Sequence, residues 1–287
     1  MKTKQAILLA ILAALLYALS TPIAKLILND LSPTYIAALL YLGAGLGMGV
    51  VAYIRKKTTS YTYQAFTKKE LPAILGMIAL DVVAPILLMF GLKRSLPENV
   101  ALLNNFEIVA TTLFAAFLFK EHIPKRLRWA IIFVTLASII LTVDDVQAFT
   151  FSLGSIFVIL AAISWGLENN LTRRLSINDP LMVVVIKGIF AGLGSLVIAL
   201  ILGEVIWHPL MMTLTFLLGF IAYGLSIFFY VTAQKELGAA KTSTFYAFAP
   251  FMGALLSLAI FQEIPGYTFF IAIIIMGIGS YLASTAS

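Results

Sequence analysis

The chain has 287 residues, of which 61% are hydrophobic and 11% charged, and its mean hydropathy is +1.03. An ordinary soluble domain is about 25% charged, so this composition excludes a water-covered globule and makes lipid the natural solvent. The absence of cysteine excludes disulfides, thiolate metal sites and a cysteine nucleophile. The net charge of +6 awaits the position of the cations.

Apolar runs bounded by charge, proline or polar clusters predict ten membrane spans. Span 1 covers about 5–28 and contains AALLYALSTPIAK, ending in Lys25, a cation placed to snorkel toward the outer surface. Its first residues have the look of a cleavable leader, but the apolar run continues to Leu28, so it reads as a retained helix. Span 2, about 33–54, carries Gly43, Gly45, Gly47 and Gly49 in two overlapping GxxxG patterns, the spacing that lets helices approach closely. The longest loop, Arg55–Glu70, follows.

Span 3, about 71–92, has Asp81 at its centre, and span 4, about 100–119, has Glu107 near its centre with Asn104 three residues before it. At three residues' separation those two share a face. Span 5 covers about 127–143. Span 6, about 154–172, contains AAISWGLENNLTR, in which Trp165, Glu168 and Asn169 fall on one face. Span 7, about 180–203, holds Lys187 seven residues in, with Gly188 and Gly192 at GxxxG spacing. Lys187 either pairs with an acid or snorkels to the cytoplasmic surface, and snorkelling is the expected arrangement. Span 8, about 210–233, brings Tyr223 and Tyr230. Span 9, about 242–261, brings Phe245, Tyr246, Phe248 and Phe251, with Pro250 expected to break the helix. These aromatics either stack on a flat substrate or pack as core. Span 10 covers about 267–285.

Fifteen of the nineteen Lys and Arg residues fall at one set of alternating ends and only Lys93 and Arg94 at the other. The asymmetry predicts that both termini are cytoplasmic. It also assigns the basic charge to topology rather than to nucleic acid.

The second half repeats the first. Ala13–Lys25 is echoed by Ala161–Arg173, AGLG at 44–47 by AGLG at 191–194, Leu75-Gly76 by Leu218-Gly219, and FKEHIP at 119–124 by FQEIP at 261–265. A duplicated unit of five helices, an odd number, enters the membrane from opposite sides in its two copies. The expected fold is therefore all-α, with ten transmembrane helices as two inverted five-helix repeats, residues 1–146 and 147–287.

LLYALSTPIAK and ISWGLENNLTR resemble the first-helix motif of EamA-type repeats in the drug/metabolite transporter superfamily. NNFEIVATTLFAAFLFKEHI and YAFAPFMGALLSLAIFQEI resemble its fourth-helix motif, although Ile108 stands in the first half where the family often has the proline that Pro250 supplies in the second. The resemblance implies a basket of ten helices, with helices 1, 3, 4, 6, 8 and 9 around a cavity.

Ionisable groups within a span cost ~2.5–3.5 kcal/mol each on insertion scales and mark pathways or proton relays. Asp81, Glu107 and Glu168 each occur in one repeat only, which favours specific work over packing; the alternative is a structural role, neutral or paired with Lys187. The residues assigned to substrate binding are Asn104, Glu107, Trp165, Glu168, Asn169 and Tyr246, and those assigned to proton coupling are Asp81 and Glu107. There is no Walker loop, and the two histidines, His122 and His208, fall near helix ends, so no metal or other cofactor is expected. The function that follows is secondary transport, most simply export, of a small amine-bearing metabolite by alternating access, with protons as a coupling partner. The alternatives are a passive channel and an intramembrane enzyme. The oligomeric state is not legible.

Overall fold

The structure, a computed structural model, describes residues 3–59, 66–120, 123–145, 150–175, 179–237, 246, 248–263 and 265–285. Among these the regular structure is helical apart from one short ribbon, in which β1 (Val143–Asp145) pairs antiparallel with β2 (Thr150–Phe151).

Span 1 divides into α1 (Thr3–Ala18) and α2 (Ser20–Ile27). The break at Leu19 has a covalent cause: Pro22 has no N–H, so the carbonyl of Ala18 loses its helical partner. Then come α3 (Pro33–Thr58) and α4 (Leu71–Arg94), which contains Pro85. Span 4 divides into α5 (Pro97–Leu103) and α6 (Phe106–Phe119). After α7 (Lys125–Thr142) and the ribbon, the chain continues through α8 (Leu153–Leu175) and α9 (Pro180–Ile201). Span 8 is α10 (Pro209–Leu218), a π-helical segment at Gly219–Leu225, and α11 (Ser226–Leu237). The last helices are α12 (Ala249–Phe261) and α13 (Tyr267–Ser284). Proline opens α3, α4, α5, α9, α10 and α12 within their first two positions, where a missing N–H costs nothing.

Seven helical stretches among the described residues are long and apolar enough to cross a membrane. The helices at predicted spans 5, 9 and 10 fall outside that set. The first, α7, has 18 residues and begins with Lys125, Arg126 and Arg128; α12 has 13 residues and α13 has 18. Large apolar side chains such as Phe117, Leu200, Ile201 and Tyr267 point outward, while Asp81, Glu168 and Lys187 are buried. That inversion of the soluble pattern suits a lipid surround and identifies an integral membrane protein.

The packing partners come from opposite halves of the chain. The helix α3 lies along α9, α4 along α8, and α1 along α11; α6 meets α8, α12 meets α1, and α7 meets α13. The α3–α9 crossing is made by glycine. A Cβ at Gly45 would overlap the backbone of Gly188 and Ile189, and one at Gly188 would overlap Gly45. Gly43 meets the carbonyl of Phe216, and Gly192 meets Leu42. These glycines therefore serve close packing, as their spacing predicts.

Candidate functional site

A buried cluster of charged side chains forms where α4, α8 and α9 meet. Asp81 is the eleventh residue of α4 and is 0% exposed; Glu168 on α8 is 1% exposed and Lys187 on α9 is 7% exposed. The Lys187 ammonium stands 3.2 Å from Asp81 Oδ2 and 3.2 Å from Glu168 Oε1. This corrects the expectation that Lys187 snorkels. Its site lies beside the Gly45–Gly188 crossing, walled by helices, and two carboxylates hold it there more firmly than a distant surface could.

Each carboxylate is held by a neutral group as well. Tyr41 on α3 donates from its hydroxyl to Asp81 Oδ1 at 2.8 Å, and Trp165 Nε1 on α8 donates to that same hydroxyl at 3.2 Å. Thr172 donates to Glu168 Oε1. The other Asp81 oxygen, Oδ2, has the ammonium and no hydrogen-bond donor. Two carboxylates share one ammonium, so the cluster keeps an excess of acceptor oxygen.

Glu107 lies on a second, more open edge of the same region. It is half-buried in the first turn of α6, and Asn169 Nδ2 on α8 donates to its Oε1 at 2.5 Å. Thr111 Oγ1 is 3.4 Å from the same amide nitrogen, while Asn170 Nδ2 donates to the Thr111 carbonyl at 3.0 Å and the Gly166 carbonyl at 2.8 Å. Consecutive residues of α8 thus address different partners: Glu168 turns to Lys187 and Asn169 to Glu107.

Asn104 and Glu107 flank the tightened turn that joins α5 to α6, where Asn104 and Asn105 keep right-handed helical backbone angles. The backbone there makes short bonds, Asn105 N to Leu102 O at 3.0 Å and Glu107 N to Asn104 O at 3.1 Å. Asn104 is buried, and its side-chain oxygen has no hydrogen-bond partner. No proline marks this break. The equivalent point of span 9 falls just before α12, where Pro250 occupies the first turn. Tyr246 is half-buried and helical and packs on Tyr17 at 5.7 Å and Tyr230 at 4.8 Å between ring centroids. Tyr17 also meets Tyr223, and Tyr223 meets Tyr41, at 6.0 and 5.7 Å. A file of tyrosines therefore runs from Tyr246 to the hydroxyl that holds Asp81, with Tyr223 in the π segment. Phe245 lies outside the described residues.

Tyr17, Tyr41, Thr111 and Thr172 join the site without having been singled out for it, and Lys187 joins it by the pairing that was the less expected of its two arrangements. Tyr17 had a signal, since it is the repeat counterpart of Trp165. Tyr41 had none, being one aromatic in an apolar helix. Lys25, also expected to snorkel, instead donates to the carbonyls of Leu92 at 2.7 Å and Ser95 at 2.8 Å, closing the C-terminal end of α4. Among the two histidines, His122 lies outside the described residues and His208 caps α10 through the Met211 N–H at 3.4 Å.

Comparison with known proteins agrees with this architecture. The EamA-like transporter family matches residues 4–143 and again residues 152–285. An uncharacterized transporter of Methanothermobacter thermautotrophicus is 27% identical over 272 residues, covering 88% of this chain and 78% of that protein. The uncharacterized transporter YyaM of Bacillus subtilis is 22% identical over 179 residues, 59% of each chain. A solved crystal structure that is 18% identical superposes with a TM-score of 0.70, covering 97% of this chain and 95% of the other, and so shares the fold.

Proposed function

The chain belongs to the EamA-like transporter family, and from that premise we propose that it is a secondary active transporter that exports a small amine-bearing metabolite, an amino acid or an organic amine. One observation carries the substrate class: the buried carboxylates Asp81 and Glu168 already accept an ammonium, that of Lys187, at 3.2 Å each. A site built to hold R–NH3+ in a low-dielectric interior favours amines and opposes multiply charged anions. Glu107 and Asn169, half-buried beside it, supply an acceptor and an amide to an incoming ligand. Trp165 and Tyr246 offer ring faces for a cation or an aromatic group, and Asn104 adds an amide oxygen with no partner of its own.

The mechanism in this reading is alternating access by two inverted five-helix repeats, residues 1–146 and 147–287, ten spans in all, in the plasma membrane with both termini cytoplasmic. Three observations support it. The family matches twice in tandem. The packing pairs exchange under the repeat: α4 on α8 corresponds to α11 on α1, and α6 on α8 to α12 on α1. The turns after α6 and α12 have the same backbone form. Asp81 and Glu107 are the groups we assign to proton coupling.

The test is counterflow in proteoliposomes preloaded with candidate amines, with competition by amines, neutral isosteres and phosphorylated compounds of similar size. Saturable counterflow inhibited by amines is the expected result. Non-saturating flux with no counterflow would identify a channel, and stronger competition by the anions would overturn the substrate class.

A further inference from the structure

The two acids of the buried cluster make unequal use of Lys187. Asp81 Oδ1 has the Tyr41 hydroxyl at 2.8 Å, but Oδ2 has the ammonium and no hydrogen bond. Glu168 Oε1 has Thr172 in addition to the ammonium. Withdrawing Lys187 would therefore leave Asp81 Oδ2 buried and unpartnered, a state far costlier than the pair itself. Lys187 can leave only if another donor takes its place, and the geometry already states what that donor is: one positively charged nitrogen within about 3 Å of both carboxylates.

The cluster also ties helices together. Asp81 stands on α4, Glu168 on α8 and Lys187 on α9, and the residue after Lys187 is the glycine at the tightest α3–α9 contact. Glu107 on α6 is half-buried and accepts from Asn169, which is one residue along α8 from Glu168, so it gives an arriving cation a first acceptor.

We propose that the Lys187 ammonium is a tethered stand-in for the transported amine. The substrate's ammonium displaces it from Asp81 and Glu168, and by doing so releases the α4–α9 tie that holds the empty protein in one conformation. This inference rests on the transporter reading and adds what that reading lacks, a reason for the carrier to move only when loaded. Its signature is that the substrate and the protein's own lysine compete for the same oxygens.

The experiment measures binding of benzylamine, with benzyl alcohol as the uncharged isostere, to the purified full-length protein and to two variants. Lys187→Met keeps the length and apolar stem while removing the competitor. Benzylamine affinity is expected to rise at least tenfold, and benzyl alcohol affinity to stay unchanged. Lys187→Arg installs a fork that grips two carboxylates more firmly, so benzylamine affinity is expected to fall. Opposite movement in the two variants is what a purely structural lysine would not give. If the Met variant does not fold, the Arg variant decides alone. An unchanged or weaker affinity in Lys187→Met, or an unchanged one in Lys187→Arg, overturns the proposal. So does benzylamine binding to none of the three proteins, whereas the transporter reading stands or falls separately on the counterflow panel.

Discussion

Lys120 and Gln262, 142 positions apart, close α6 and α12 in the same left-handed conformation, with φ of 56° and 53°. They are the two non-glycine residues with positive φ among those described. Side chains with a Cβ pay about 1–2 kcal/mol in this region of backbone space, and glycine does not. Replacing Gln262 or Lys120 by Gly should therefore stabilise the protein by ~1 kcal/mol, a rise of about 2–4 °C in the melting temperature. Ala at either position should give no gain. Thermal unfolding in detergent checks both, and equal melting temperatures for the Gly and Ala variants would contradict the assignment.

Substitution at the α3–α9 crossing should separate glycines that need their smallness from those that do not. Gly45→Leu and Gly188→Leu would each force backbones apart and should abolish a monodisperse peak in size-exclusion chromatography. Gly277 has nothing within 4 Å of a new Cβ and lies inside α13, so Gly277→Ala should be tolerated and stabilise by ~0.5–1 kcal/mol.

The helix count and the inverted arrangement stand on topology. A reporter fused after Ser287 should be cytoplasmic, and one inserted between Asp144 and Ser152 external. A C-terminal reporter on the outer side would remove the ten-span reading and the inversion with it.

Glu107→Gln keeps the shape of the side chain that Asn169 engages and removes its charge. Transport should fall at least tenfold while expression and melting temperature hold; Asp81→Asn should lose transport likewise but with a lower melting temperature, because Lys187 loses one of its two buried carboxylates. The accompanying readout is the pH dependence of counterflow, which should flatten in both variants. Unchanged rates and an unchanged pH profile in the double variant would make these carboxylates structural.

The periodicity of apolar runs located nearly every helix because a lipid-exposed span has to be long and continuous. What it missed are the interruptions. Pro250 was read as one such signal and Pro22 carried another, but the break at Asn104–Asn105 has no proline and the π segment at Gly219–Leu225 leaves no mark in hydropathy. Buried acids were easy to see, since lipid makes each of them expensive. Their partners were not: Tyr41 differs from any packing aromatic only in which helix it meets, and Lys187 had two outcomes, pairing or snorkelling. Its choice depends on Asp81 lying more than 100 positions away in sequence, a distance that only folding closes.

The contact of Gly45 with Gly188 is backbone against backbone, with the Ile189 side chain seated beside it. Such a joint has one permitted kind of motion. Sliding α3 along α9 by a single residue, about 1.5 Å, would push a neighbouring side chain into a space too narrow for one carbon. Swivelling about the point of contact keeps the two glycines together and asks only the Ile189 side chain beside them to adjust. The crossing therefore acts as a bearing: it forbids translation, permits tilt, and fixes the centre about which the two helices can lean.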